Sequence, residues 1–89
     1  MKKIMFYSND INEFKEFYKY VLLLKKDNFE IAFGTYNKDL LSLLSSIKIL
    51  VVYPDSYVSN ITVCMNKKDK NLFKNTYMSL NVFLESHFE

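Results

Sequence analysis

The chain is 89 residues long, 49% hydrophobic, 25% charged and 17% aromatic, with one Gly and one Pro. That supplies apolar material for one core and too little length for two, and it excludes a disordered, collagen-like or low-complexity chain. The net charge of +2 owes its basic side to lysine alone, with no arginine. Without the guanidinium fork that grips phosphate and guanine, and with the pairs Lys2-Lys3, Lys25-Lys26 and Lys67-Lys68 dispersed, no nucleic-acid partner is expected.

The apolar runs Tyr20 to Leu24 and Ile49 to Tyr53 fall far short of the roughly 18 residues of a membrane-crossing helix, so no membrane partner is expected either. Ser8, Asn9, Asp10 and Asn12 interrupt any apolar core behind Met1-Lys2-Lys3, which predicts no secretion signal. Cys64 has no second cysteine to pair with, and His87 is the single histidine. Neither a disulfide within the chain nor a metal or other cofactor is expected, and a reducing cytoplasm is the predicted location.

Lys3 to Tyr7 has strand propensity and is stopped by Ser8-Asn9-Asp10, whose side chains bond nearby backbone amides. Asp10 can cap a helix and Glu13 can close a capping box, after which Ile11, Phe14, Phe17, Tyr18, Val21 and Leu22 recur at helical spacing. Glu16 stands three residues before Lys19, a spacing that lets the two charges pair. After the polar break at Lys25 to Asn28, Phe29, Ile31 and Phe33 alternate with Glu30 and Ala32 as in a half-buried strand, and Gly34 stops the pattern. Leu40, Leu41, Leu43, Leu44 and Ile47 fit either a short helix capped by Asn37 or an irregular connection over residues 38–46.

Ile47 to Tyr53 is β-branched and nearly continuous, which predicts a central strand closed by a turn at Pro54-Asp55-Ser56. Val58 to Met65 predicts another strand, with Ile61, Val63 and Met65 on one face and Asn60, Thr62 and Cys64 on the other. Leu72, Phe73, Thr76, Tyr77 and Leu80 predict a helix over Lys68 to Leu80, and Val82 to Phe88 a last strand. Phe14-Lys15-x-x-Tyr18-x-x-Val21 recurs as Phe73-Lys74-x-x-Tyr77-x-x-Leu80, which suggests an internal duplication.

The stretch Ile4 to Ile11, continued through Phe17-Tyr18-Lys19-Tyr20-Val21-Leu22, resembles the opening of vicinal oxygen chelate proteins, the glyoxalase, bleomycin-resistance and extradiol dioxygenase superfamily. Asn60-Ile61-Thr62-Val63, with the helix to Leu80 and the strand from Val82, is similar to the start of that family's second module. The resemblance implies an α+β fold of βαβββ modules whose curved mixed sheet packs on two main helices. It implies one domain over residues 1–89, with a first module over about 1–57 and a truncated second module over about 58–89. The family's metal ligands would fall on Lys3 and Asn60, and neither an ammonium nor a lone amide is a divalent-metal ligand.

The chemistry-bearing residues offer little else. Glu85 and His87 share a strand spacing but stand alone near the C-terminus, no serine sits in a nucleophile elbow, and the one glycine cannot make a phosphate loop. The reading therefore leans against an enzyme. The function expected is a non-enzymatic small-ligand-binding or vestigial glyoxalase/bleomycin-resistance-like protein. The alternative is a small protein-interaction module, such as a phage or mobile-element inhibitor of a host protein. In the family's geometry Lys3, Met5, Tyr7, Asn60, Thr62 and Cys64 would line a cleft of at least about 300 Å³ for a small apolar ligand, while Ile4, Phe6, Ile61 and Val63 would pack on helices. A homodimer is expected as well, closed through a strand edge at Val82, Leu84 and Phe88.

Overall fold

The computed structural model describes residues 2–24, 29–72 and 77–87. Five strands, β1 (Lys2–Tyr7), β2 (Phe29–Gly34), β3 (Leu50–Val52), β4 (Ile61–Cys64) and β5 (Tyr77–Ser79), form one sheet in the order β3-β2-β1-β4-β5. The helices are α1 (Ile11–Leu24), α2 (Lys38–Leu43) and α3 (Leu80–His87). Helices and sheet thus share one core, as the α+β expectation has it.

Every pairing is parallel, with Ile4 opposite both Ile31 and Ile61, and Phe6 opposite both Phe33 and Val63. The mixed sheet expected from the resemblance is therefore not what the described residues form. Parallel neighbours cannot be joined by hairpins, so each connection must cross a face of the sheet. The chain runs outward from β1 to β2 and β3, then returns to lay β4 on the other side of β1. If successive crossovers keep one hand, this reversal moves them to the opposite face.

The packing agrees. Ile4, Phe6, Phe33 and Val63 share one buried cluster with Phe14, Phe17 and Val21 of α1, Leu40 of α2, Leu44 just after it and Phe83 of α3, and Ile61 packs against that cluster. The predicted alternation of β1 and β4 toward the helices holds. Among the described residues no α-helix covers β1 and β2 on the opposite face. That face is crossed by the strap from Tyr53 to Asn60, which includes a 3-10 turn at Pro54–Ser56. The strap is tied at its middle and at its far end: the Tyr57 hydroxyl donates to Glu30 at 2.7 Å, and the Lys3 and Asn60 amides bond the Asn60 side chain and the Lys3 carbonyl, each at 2.8 Å.

Other expectations change as well. Ile47 to Tyr53 was expected to be central, but β3 lies at the sheet edge, where Leu50 is 46% exposed. The central strand is β1, buried on both faces from Ile4 to Tyr7. Val82 to Phe88 is not a strand: residues 82–87 belong to α3, because Leu80, Phe83 and Leu84 recur at helical spacing and face the core, leaving Val82 and Glu85 outside; Phe88 lies outside the described residues.

The helix expected over Lys68 to Leu80 is instead a 3-10 segment at Lys67–Leu72 and then β5. The parallel sheet takes Tyr77 to Ser79 as its fifth strand, a pairing that outweighs helical spacing in a run this polar. The repeat of Phe14 to Val21 does not recur as a second helix, and its Phe73 lies outside the described residues. The expected homodimer edge fails with the last strand, since Val82 and Leu84 lie on a helix and Leu84 packs against the core. β4, assigned to the second module, pairs directly with β1 of the first.

Candidate functional site at the carboxyl edge of the sheet

The loops after β1 and β2 each run strand, three residues with polar groups, helix, the third residue being Asp10 in one and Asn37 in the other. Tyr7 is followed by Ser8-Asn9-Asp10 and α1, Gly34 by Thr35-Tyr36-Asn37 and α2. Short polar side chains suit these turns because they supply bonds that the first amides of a helix lack. Asp10 accepts from the Asn12 amide at 2.7 Å, and Asn37 accepts from the Asp39 and Leu40 amides at 3.0 and 3.1 Å. The Asn37 cap decides residues 38–46 in favour of a short helix followed by a 3-10 turn. The capping box at Asp10 takes a different form: the Asp10 amide donates to the Ser8 hydroxyl at 3.0 Å, and that hydroxyl donates to the Glu13 carboxylate.

Asn9 joins the two loops. Its Oδ1 accepts from the Thr35 hydroxyl at 2.9 Å and from the Tyr36 and Asn37 amides at 2.9 and 3.2 Å, while its Nδ2 donates to the Tyr7 hydroxyl at 2.7 Å. The Asn37 side chain returns a bond to the Asn9 carbonyl at 3.3 Å. Between the loops opens a cleft of about 380 Å³ lined by Asn9, Asp10, Ile11, Asn37, Asp39, Leu40 and Leu43. Four of the lining side chains are polar and three aliphatic, and of the aliphatic ones Leu40 is buried while Ile11 and Leu43 are exposed. Open α/β sheets hold ligands outside the carboxyl ends of their strands, and this cleft lies at that end, beside the reversal of strand order between β1 and β4.

The electrostatics limit what can enter. Asp10 and Asp39 stand at the starts of α1 and α2, where carboxylates oppose the positive ends of the helix dipoles. The β1-to-α1 turn contains no glycine, so its backbone cannot approach a pyrophosphate closely. The cleft therefore disfavours phosphate and suits neutral or cationic groups.

Beside the cleft, the Tyr36 ring meets Tyr7 at 5.7 Å and Tyr53 at 4.9 Å, and its hydroxyl donates to Asp55 at 2.7 Å. That bond, with lesser help from burial and the Asp55 charge, pushes the Tyr36 phenol up to about 12. Tyr57 is raised in the same direction, by burial first and then by its bond to Glu30. Phenols whose folded values lie above their unfolded values contribute stability below about pH 10, and that contribution is lost as pH rises through the folded values. Stability is expected to fall between about pH 10 and 12, and Tyr36→Phe to reduce the slope, read by denaturant titration at each pH.

The residues expected to line a cleft are placed otherwise. Met5, Tyr7, Thr62 and Cys64 do share one sheet face, but all four are buried beneath the connections that cross it. Lys3 and Asn60 sit exposed at the amino end of the sheet, where the Asn60 side chain accepts from the Lys3 amide and the Lys3 carbonyl from the Asn60 amide, and Lys3 lies 3.9 Å from Glu30. Of the six, Tyr7 alone reaches the carboxyl-edge network, through Asn9. Burial, with Asp69 adding, pushes the Cys64 thiol up to about 11, so it stays protonated at neutral pH and is a poor nucleophile. Among the described residues no three His, Cys, Asp or Glu side chains gather as a metal ion would require, and no helix is long and apolar enough to cross a membrane.

Asn9, Asn37 and Asp39 were not singled out as binding residues from the sequence. The usable signal was the strand, polar triplet, helix pattern of both loops, each triplet holding an Asn, which marks a ligand edge only once the strands are known to be parallel. The chain matches no protein-family model, no curated protein and no solved structure.

Proposed function

We propose that the protein is a non-enzymatic small-ligand-binding domain whose ligand seats in the carboxyl-edge cleft between the β1–α1 and β2–α2 loops. The observation that carries this reading is the Asn9 junction. One side chain ties the two loops with three hydrogen bonds and bonds the Tyr7 hydroxyl with a fourth, so the cleft walls are held before a ligand arrives and little ordering entropy remains to be lost on binding. Asn9, Asp10, Asn37 and Asp39 offer hydrogen bonds, and Ile11, Leu40 and Leu43 take an apolar portion. The ligand is a small neutral or cationic molecule with an aliphatic part.

A panel of small amines, polyols and amino acids tests this by thermal shift. At least one compound is expected to raise Tm in a saturable way. Leu43→Asp, a change at a side chain 63% exposed, is expected to leave the ligand-free Tm within a few degrees and to reduce that shift at least tenfold in apparent affinity. A panel without a saturable shift, or a shift that Leu43→Asp leaves intact, overturns the assignment.

A protein partner, a second copy included, is the second reading. It is favoured by Val58, 84% exposed on the strap, and Leu50, 46% exposed on the edge strand. Light scattering over a hundredfold dilution separates the cases: a constant monomer mass counts against self-association.

A further inference from the structure

A second hollow lies at the opposite end of β2 from the cleft. It holds about 100 Å³ and is lined by Val21 of α1, Phe29 and Ile31 of β2, and Lys48, Ile49 and Leu50 entering β3. Five of these six residues are apolar. Val21 is buried, and Phe29, Ile31 and Ile49 pack against the main core, so the hollow is an indentation of that core beside its edge strand. At about 30 Å³ for a water-sized group, it has room for three or four heavy atoms.

Lys48 is the single charged residue in its lining. It is exposed, and among the described residues no carboxylate lies within ion-pair distance of its ammonium. A narrow apolar recess beside an unneutralised cation is complementary to one kind of small molecule, an aliphatic tail ending in an anion. The recess rejects the polar end, because no lining side chain would replace its lost hydration bonds. The ammonium favours a carboxylate over an amine or an amide of the same shape.

We propose that this hollow binds the tail of a short straight-chain carboxylate of about four or five carbons, with the Lys48 ammonium pairing its head group. The site is separate from the carboxyl-edge cleft and does not depend on it. Titration of the methyl-labelled protein with propionate, valerate, valeramide and pentylamine is the test, read by NMR. Valerate is expected to shift the Val21, Ile31 and Ile49 methyls saturably and to leave Ile11 and Leu43 in place. It should bind about tenfold more tightly than propionate, from burial of two further methylenes, and more tightly than valeramide or pentylamine.

Lys48→Gln should weaken valerate toward valeramide, and Lys48→Glu should reverse the preference to pentylamine. Both changes lie on an exposed side chain, and an unchanged methyl spectrum without ligand shows that the fold is kept. Absence of saturable shifts with valerate would make the hollow packing space and overturn the proposal. So would equal binding of valerate and pentylamine by the unaltered protein, or an unchanged valerate affinity in Lys48→Glu.

Discussion

Phe17→Ala is expected to cost about 3–5 kcal/mol, enough to lower Tm by about 15 °C or more in a domain of this size. Phe17 is fully buried at the centre of α1, with ring centroids 4.9 Å from Phe6, 5.7 Å from Phe14 and 5.2 Å from Phe33. Truncation therefore removes the transfer energy of the ring and opens a void between one helix and two strands. The surrounding rings are anchored on β1 and β2 and can collapse into the gap only in part. Phe6 also meets Phe83 at 5.3 Å, so loosening at Phe17 reaches α3. Denaturant titration checks it, and a loss below about 1 kcal/mol would mean that α1 does not pack on the sheet through this face.

Gly34→Val is expected to destabilise by about 2–3 kcal/mol, and Gly34→Ala by about 1 kcal/mol. A Cβ at Gly34 would meet the Met5 Sδ at 2.5 Å, the Met5 Cγ at 2.9 Å and the Pro54 Cγ at 3.4 Å. The missing side chain is what lets the strap lie against the sheet beside Met5. Met5 is buried and Pro54 is fixed in its 3-10 turn, so the thioether must swing away at some cost in packing. Alanine asks for that one movement, while the two further methyls of valine also press on the strap. A double-mutant cycle with Met5→Ala is the check. Met5→Ala should cost clearly less in the Gly34→Val background than in the unaltered chain, because it vacates the space that valine needs. Additive costs would show that the two side chains do not compete.

The same glycine shows how a correct local reading can miss its structural reason. From the sequence Gly34 marks the end of a strand pattern, and β2 does end there. That it also admits a strap from residues twenty positions later depends on which face the return connection crosses. No local pattern contains that information, because the crossing side follows from strand order.

Where one element's own residues decide its form, the sequence sufficed. Strand β1, helix α1 from Asp10 onward, strand β2 and the turn at Pro54 follow from periodicity and turn chemistry and stand as read, while of the two forms open for residues 38–46 the structure takes the Asn37-capped helix. The division of β1 and β4 into a helix-packed face and its opposite also stands, since alternation belongs to the strand itself. What the tertiary structure decided was everything that depends on neighbours. Ile47 to Tyr53 and Ile4 to Tyr7 are both short apolar runs, and only strand order makes one an edge and the other the centre. Tyr77 to Ser79 pairs with β4 despite its helical spacing, and residues 82–87 turn helical to bury Phe83 against Phe6. The candidate site belongs to the second kind. Asn9 and Asn37 stand 28 residues apart, and they face each other only because β1 and β2 run parallel and release both loops at the same edge.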